Sequence, residues 1–260
     1  MEKQMNITQK SSPNQSSRNG YKPCLIVWHI ADGTYNGTVT WEQNPASQVS
    51  SHFVLGKNGE ITQLVPLDKA AWTQGVVKNP THPYVKAHSG VNPNLYCVSI
   101  ECEGKWSETH GALTDKQLQA AAWLTCHIVE EIDRIYGIEI PIDREHMIGH
   151  YEINPVTRPH CPGEDFPFGR LIALARGEDA ETVQDETASL PYTVQCGAFA
   201  SAGNANALKD KLSARGYYCY LTDHLGTLRV CVGKFATKEE AAKTAGDLKA
   251  KGIDGFVAKR

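Results

Sequence analysis

The stretch Leu25-Ile-Val-Trp-His29 decides the fold, together with Gly149-His150 and His160-Cys161-Pro162-Gly163 much further along the chain. The apolar run that ends at Trp28 predicts a buried strand that enters a loop at His29. His150 also follows a short apolar stretch, and Cys161 lies in a proline-containing segment that cannot continue a helix. Two histidines and one cysteine on loops match a catalytic zinc site, which has three protein ligands and one open position.

A carboxylate between the two histidines supports the zinc interpretation. Glu101 lies in the β-branched run Val98-Ser-Ile-Glu101, where most other side chains are apolar. A zinc hydrolase needs a carboxylate as general base for the attacking water. The alternative is structural, since a histidine at a strand end and a cysteine before Pro-Gly are also common as ordinary buried residues.

Several segments, taken in order, resemble zinc-dependent N-acetylmuramoyl-L-alanine amidases of the amidase-2 type, which are related to peptidoglycan recognition proteins. The resemblance covers about residues 20–172 and implies an α/β domain with a mixed central sheet flanked by helices. It also implies that His29, His150 and Cys161 hold one zinc ion and that Glu101 is the catalytic carboxylate. The matching segments are Leu25–His29, Val49–Leu55 with Gly59–Val65, Lys69–Trp72, Ser99–Glu101, Gly149-His150 and Cys161–Gly163.

The loop before the last ligand departs from the family pattern. Many members carry Lys or Thr two positions before that ligand, where this chain has Pro159 beside Arg158. Arg158 is predicted to stabilise the oxyanion of the tetrahedral intermediate, and the alternative is a loop arginine held in a surface ion pair. The loop is one residue longer than in many relatives, so His160 is an alternative ligand to Cys161. The position directly before Pro-Gly favours Cys161.

Three further positions carry expectations from the resemblance. Ser51 stands where some relatives have a catalytic tyrosine, so Glu101 is expected to act without such a partner. His52 matches a family position that either contacts substrate or supports the sheet. Trp72 is predicted to line the groove, although an isolated tryptophan is more often a core residue.

Composition limits the class of protein and its partners. The 260 residues suffice for one good core plus a small domain, with 41% hydrophobic and 21% charged residues. The formal net charge of −3 and the lack of a basic stripe argue against nucleic acid as a partner. No apolar stretch approaches the ~20 residues of a membrane span. The eight cysteines are expected to be reduced thiols, and the sequence makes no prediction of oligomeric state.

The first twenty residues are rich in Ser, Asn and Gln and have no hydrophobic region of the kind found in signal peptides. They predict a disordered polar tail over residues 1–20. The catalytic domain is then expected over 21–172. Its main helix begins at the capping box Thr114-Asp-Lys-Gln117, continues with 3.6-residue periodicity and stops at Tyr136-Gly137.

Residues 173–189 are acidic, small and nearly free of large apolar side chains, which predicts a linker. The remaining segment, 190–260, contains an internal repeat: Val194, Gly197 and Phe199 recur 36 positions later as Val230, Gly233 and Phe235. Each copy predicts a strand, a turn and a helix. Two copies make a small βαββαβ domain with a four-stranded antiparallel sheet and both helices on one face.

This repeat resembles a SPOR domain, the sporulation-related repeat, through the paired segments Tyr192–Phe199 and Arg229–Phe235. The resemblance implies binding to peptidoglycan, usually to glycan strands without stem peptides. The candidates for the binding face are Gln195, Phe199, Tyr220 and Arg229. The alternative for Phe199 and Phe235 is a place in the core of the sheet.

Both halves of the chain thus point to bacterial peptidoglycan. The expected reaction is zinc-dependent hydrolysis of the amide between N-acetylmuramic acid and L-alanine. Without a signal peptide, the protein is expected to be made in the cytoplasm and released through a holin-type pore as a phage or prophage lysis enzyme. The alternatives are a non-catalytic wall-binding protein and a cytoplasmic amidase that recycles small muropeptides.

Overall fold

The structure is a computed structural model and describes residues 5–180, 190–224, 226–235 and 237–259. The chain divides into two compact units, Met1–Asp185 and Glu186–Arg260. Within the described residues no helix has the length and apolar character that crossing a bilayer requires.

The first unit is built on a mixed six-stranded sheet with the strand order β1-β5-β4-β7-β3-β8. All pairs are parallel except β4 with β5, which forms an antiparallel hairpin. A separate antiparallel pair joins β2 to β6. The strands are β1 Ile7–Gln9, β2 Gln15–Ser17, β3 Leu25–Ile30, β4 Phe53–Leu55, β5 Ile61–Gln63, β6 Lys69–Ala71, β7 Cys97–Cys102 and β8 Met147–Gly149.

Six helices connect or cover these strands. The longest, α4, begins after the capping box at Thr114 and ends at Gly137, whose φ of 61° lies in the left-handed region, so both predicted ends are confirmed. Two 3₁₀ turns, Pro45–Ser47 and Pro93–Leu95, complete the unit. The helices are α1 Tyr35–Gln43, α2 Pro83–Ala87, α3 Trp106–Thr109, α4 Asp115–Tyr136, α5 His150–Ile153 and α6 Phe168–Ala175.

The two faces of the sheet have different tasks, because side chains alternate along each strand. Ile26, Trp28 and Ile100 point to the main core, where they pack with α4 and α6. The alternate positions of β3 and β7 point to the other face, which carries Leu25 and Val27 and then His29 and Glu101 at the carboxyl ends. One face of the sheet therefore packs against α4 and α6. The other face carries the polar side chains His29 and Glu101 at the carboxyl ends of β3 and β7.

The prediction of a disordered tail over residues 1–20 is wrong, since this segment adds β1 and β2 to the two sheets. Three of its polar side chains, those of Ser12, Asn14 and Arg18, are buried and bind backbone oxygens. Arg18 is 3% exposed and donates to the carbonyls of Leu67, Leu95 and Cys97. Burial lowers the pKa of this guanidinium to about 10. The polar composition of this segment therefore does not indicate disorder, because backbone pairing and buried hydrogen bonds order it. We call residues 5–18 the N-terminal arm.

The second unit is the predicted βαββαβ arrangement with an antiparallel sheet in the order β10-β11-β9-β12. Both helices bury alanine and leucine side chains against Val194, Val230 and Val232 of the sheet. Of the predicted linker, α6 extends to Ala175, and residues 181–189 lie outside the described residues. The elements are β9 Tyr192–Phe199, α7 Ala202–Ser213, β10 Cys219–His224, β11 Thr227–Phe235, α8 Lys238–Ala250 and β12 Phe256–Lys259.

Candidate active site

Three potential metal ligands meet at the carboxyl ends of β3 and β8. These strands are parallel neighbours with Trp28 beside Gly149, so the residues that follow, His29 and His150, lie side by side. Their Nδ1 atoms are 3.1 Å apart, and the Cys161 Sγ atom is 3.7 Å from Nδ1 of His29. The three donor atoms all lie within 4.8 Å of one another. The sequence therefore correctly predicted that these three side chains would come together.

The spacing of these donors fits a tetrahedral zinc ion. Zinc–nitrogen bonds of about 2.0–2.1 Å and zinc–sulfur bonds of about 2.3 Å place two nitrogens about 3.3 Å apart and a sulfur about 3.6 Å from each nitrogen. His150 Nε2 lies 3.1 Å from the backbone carbonyl oxygen of Gln74, which accepts a hydrogen bond from the Nε2–H tautomer and leaves Nδ1 free to bind metal. The His29–His150 and His29–Cys161 separations are close to these values, so the three side chains are suited to hold a zinc ion.

Burial keeps both imidazoles neutral, as metal ligation requires. Burial and the nearby charge of His150 hold the pKa of His29 well below its usual value. Burial also lowers the pKa of His150 to about 4. The pKa of the Cys161 thiol is raised, chiefly by burial and then by the carboxylate of Glu101. A cation among these donors favours the thiolate form.

His160, the alternative ligand, faces a different neighbour. Its ring stacks on Trp106 with the centroids 4.3 Å apart, and it does not belong to the converging donor set. Trp106 is held in turn by Glu164, which accepts a hydrogen bond of 2.7 Å from the indole nitrogen and lies 2.9 Å from His110 Nδ1. The stacked pair thus forms one wall beside the ligand loop.

Glu101 lies directly beside His29 in the β3–β7 ladder. Its Oε1 is 3.9 Å from Nδ1 of His29, and its side chain is 16% exposed. Burial, reinforced by the charge of Glu42, raises the pKa of this carboxyl well above its usual value. Its Oε2 is buried and has no hydrogen-bond partner within the described part of the chain. A carboxylate so placed is able to accept a proton from a group bound in the cavity.

Arg158 is exposed on the loop that carries Cys161 and lines the same cavity. Its positive charge adds to the lowering of the His29 pKa by burial. It also opposes, without cancelling, the rise that burial causes in the pKa of Glu101. In the described ranges it forms no ion pair, and its guanidinium donates to the carbonyl of its neighbour Thr157 at 3.3 Å. The surface ion pair considered for this residue is therefore absent from the described structure.

Of the two alternatives for His52, the structure favours support of the sheet over contact with substrate, because this side chain is buried in the sheet. His52 is 1% exposed, and its Nδ1 accepts the backbone N–H of Ser99 at 3.0 Å. Its Nε2 lies 3.0 Å from the carbonyl of Lys69 and 2.9 Å from the guanidinium of Arg18. Burial and the charge of Arg18 lower its pKa to about 3. His52 therefore supports the sheet and does not line the cavity.

A cavity of about 590 Å³ surrounds the metal-ligand cluster. Trp72 is half-buried in its wall, as predicted for a groove residue. Other aromatic side chains in the wall are Trp41 and Trp106. A concave site with converging polar groups and apolar walls is the usual form of a small-molecule or polymer binding site.

Two residues of the site had no place in the sequence analysis. Glu42 of α1 lines the cavity and accepts hydrogen bonds of 2.7 Å from both the backbone N–H and the hydroxyl of Ser51. Burial raises its pKa to about 7. Glu42 lies three residues after Val39, so both share one face of α1. This spacing was the sequence signal that could have predicted its burial. Gln74 is fully buried and holds His150, and no local pattern marks it.

In the second unit, three of the four candidate binding residues lie on the face away from the helices, but Tyr220 is only 3% exposed there. Tyr220, Cys231 and Gln195 form a row across neighbouring strands, and Arg229 is two positions along from Cys231. Phe199 is the exception: its ring and that of Leu208 lie against Gly197, within the helix-side core. The glycan-binding expectation for Phe199 is therefore wrong, and the core alternative is correct.

Comparison with known proteins agrees with the geometry. Residues 19–164 match the family described as N-acetylmuramoyl-L-alanine amidase, and residues 188–259 match the SPOR domain. N-acetylmuramoyl-L-alanine amidase A of Achromobacter lyticus is 27% identical over 64% of this chain and 90% of its own length. The 1,6-anhydro-N-acetylmuramyl-L-alanine amidase AmpD of Salmonella typhimurium is 30% identical over 59% of this chain and 81% of its own length.

A solved structure of an AmpD derivative is 28% identical and covers 65% of this chain and 93% of its own chain, with a TM-score of 0.49. The amidase match alone covers more than half of the 260 residues. The chain therefore belongs to the N-acetylmuramoyl-L-alanine amidase family and carries a SPOR domain after its amidase domain.

Proposed function

We propose that this protein is a zinc-dependent hydrolase of the amide between N-acetylmuramic acid and L-alanine in peptidoglycan, held on its polymer by the SPOR domain. The observation that carries the proposal is the meeting of His29, His150 and Cys161 beside the buried carboxylate of Glu101 on one cavity. In domain terms, the catalytic part spans residues 21–172 with the N-terminal arm added to it. Residues 173–189 link it to the wall-binding part, 190–260.

Zinc, when bound by these three side chains, supplies a Lewis acid for the scissile carbonyl and lowers the pKa of water. Glu101 takes the proton of the attacking water on its unpartnered Oε2 and then passes it to the leaving amine. Its raised pKa suits both steps, because a carboxyl of very low pKa holds a proton too weakly to transfer it. Gln74 keeps the imidazole of His150 in the tautomer that ligation needs.

Arg158 is proposed to stabilise the negative charge that develops on the carbonyl oxygen of the substrate. It is an exposed cation on the cavity wall. Its charge is close enough to His29 and Glu101 to favour their less positive and more negative forms, respectively. A guanidinium keeps its charge throughout the reaction and has several donors for one oxyanion.

The SPOR domain is proposed to bind glycan through the sheet face on which Gln195 and Arg229 are half-buried, with the buried Tyr220 supporting that face. Tethering raises the local concentration of the amidase domain on its polymer. This favours a bacteriolytic enzyme that acts on the intact wall. The second candidate is hydrolysis of small soluble muropeptides, which is favoured by the similarity to AmpD, a 1,6-anhydro-N-acetylmuramyl-L-alanine amidase.

One experiment separates these functions. Purified cell walls and a soluble anhydro-muropeptide are each incubated with the full chain, with and without a zinc chelator, while turbidity and released peptide are followed. We expect the turbidity of the walls to fall and chelator to stop the reaction. Turnover of the soluble muropeptide without any clearing of walls would favour the second candidate, and chelator-resistant turnover would contradict the zinc proposal.

A further inference from the structure

Three apolar side chains line the candidate cavity on the side of α1. They are Trp41, Val49 and Trp72, and we call this group the shelf. Trp41 is 57% exposed and Val49 is 39% exposed. Single exposed apolar residues are common on protein surfaces, but an apolar patch that continues a polar cavity is typical of a binding site.

Hydrogen bonds hold Trp72 of the shelf in place. The backbone N–H of Trp72 donates to Ser50 Oγ at 3.0 Å, and the N–H of Ser50 donates back to the Trp72 carbonyl at 3.2 Å. The indole nitrogen of Trp72 donates to Ser16 Oγ at 3.3 Å. These contacts place Trp72 directly beside Val49 and fix its ring, so little side-chain freedom is lost when a ligand binds.

The N-terminal arm braces the loop that carries Val49. Asn14 is 2% exposed, and its Nδ2 lies 2.9 Å from the carbonyl of Val49 and 3.0 Å from that of Asn44. The hydroxyl of Ser12 donates to the carbonyl of Glu42, next to Trp41. The family match begins at residue 19, so the brace comes from a segment outside that match.

We propose that the shelf binds a sugar ring of the glycan strand, next to the muramic acid whose amide is cut. The preferred substrate is then an amide on a glycan of several sugars, and not a single amino sugar with its peptide. The inference rests on the proposed function. Pyranose rings present flat faces of C–H groups that pack on aromatic rings, and their hydroxyl groups reach polar side chains such as Thr73 at the cavity wall.

Charge favours a sugar over the stem peptide as the occupant of the shelf. A peptide carries at least one carboxylate, and the exposed cation of the cavity, Arg158, lies on the loop of Cys161 and not on the shelf. The acidic side chain next to Trp41 in sequence, Glu42, is 4% exposed and points its oxygen at Ser51. The shelf thus offers apolar surface without a charged partner, which suits an uncharged sugar ring.

The test compares two soluble substrates of the full chain: an N-acetylmuramoyl peptide with one sugar, and the same peptide on a glycan of four sugars. The measured quantity is the ratio of kcat/KM for the longer substrate to that for the shorter. We expect Trp41→Ala to lower this ratio about fivefold to tenfold and Trp41→Phe, which keeps a ring, to restore most of it. Trp123→Ala is the matched control, because Trp123 is 36% exposed on α4, behind the sheet, and should leave the ratio unchanged.

The outcomes separate this inference from the function beneath it. The SPOR domain is intact in every variant, so its own affinity for glycan cancels from the comparison. A wild-type chain that cleaves both substrates with equal efficiency, or a ratio that Trp41→Ala leaves unchanged, overturns the shelf proposal while the amidase proposal stands. A wild-type chain that cleaves neither substrate overturns the proposed function and the shelf with it.

Discussion

Glu101 shows how one side chain acquires a chemical role from its surroundings. It lies beside a metal ligand, in a strand whose neighbours are apolar, so its carboxyl holds a proton more strongly than an exposed one does. We expect Glu101→Gln to lose about 10²–10⁴ in the rate of hydrolysis and to keep its zinc, because the amide cannot accept the proton of the attacking water. Turnover on a soluble muropeptide and metal analysis measure the two effects. Glu108→Gln, an exposed change, is the control, and near-normal turnover of Glu101→Gln would assign the base to another residue.

Cys161 and His160 are neighbours with opposite expected effects on metal content. We expect Cys161→Ser to weaken zinc binding at least about tenfold, since a serine hydroxyl replaces the thiolate in the converging set. His160→Ala should keep its zinc, because this ring stacks on Trp106. Zinc titration of both variants checks the assignment. Loss of zinc in His160→Ala with retention in Cys161→Ser would reverse it.

The raised pKa of Glu42 makes the free energy of unfolding decrease as the pH rises. The folded value of about 7 lies above the ordinary value of 4.5, so the stability linked to this carboxyl is complete below pH 4.5 and is lost as pH rises through 7. Relative to the wild type, Glu42→Gln should gain up to about 3 kcal/mol between pH 5 and pH 8. Urea unfolding followed by tryptophan fluorescence, with chelator present at both pH values, measures the difference. Exposed Glu139→Gln is the control, and a pH-independent difference would mean that Glu42 is ionised throughout.

At the scale of elements, the N-terminal arm is a structural part of the amidase domain. Asn14→Ala removes the donor that three buried or half-buried oxygens share, those of Val49, Asn44 and Ser47. We expect this change to lower the free energy of unfolding by about 2–3 kcal/mol. Asn36→Ala, on the exposed side of α1, should change it by less than about 0.5 kcal/mol. Tryptophan fluorescence is suited to both measurements because all five tryptophans lie before residue 130. Equal stability of the two variants would show that the arm braces nothing.

The elements that the sequence predicts well are those with local signals. The capping box at Thr114 and the glycine at 137 fix both ends of α4, and the 36-residue repeat defines the second unit. His29 and His150 are predictable because each lies at the end of a short buried strand, and Cys161 because it directly precedes Pro-Gly. The arm is not, since its order depends on contacts with residues far away in the chain, such as that of Arg18 with Leu95, 77 positions later.

Phe199 shows a different limit of sequence patterns. Strict alternation along β9 places Gln195 and Phe199 on the same face, as the sequence analysis assumed. The ladder with β11 has a bulge between them, where Val230 pairs with Gly197 but Cys231 pairs with Gln195. One extra residue reverses the alternation, so Phe199 turns to the helices while Gln195 stays on the open face.

At the scale of the whole molecule, each of the two units has its own core, which predicts that they are separable. A fragment of residues 190–260 should fold alone and sediment with peptidoglycan, most strongly with peptide-free glycan, and Arg229→Ala should weaken this binding. Removing the fragment should reduce lysis at low enzyme dose and leave turnover of small muropeptides intact. Two results together would contradict this role: the isolated fragment binds no form of peptidoglycan, and the shortened enzyme lyses walls as well as the full chain does. The repeat would then bind another partner.

The wide separation of the metal ligands also sets the order of events during synthesis. His29 and Cys161 are 132 positions apart, so at about 5–20 residues per second the ribosome needs about 7–26 s to supply the last ligand after the first. Both strands that flank β3, β7 and β8, are made within that interval, so the sheet beneath the site is complete in sequence before Cys161 appears. The nascent amidase domain therefore lacks one of its three proposed metal ligands until its last loop has left the ribosome.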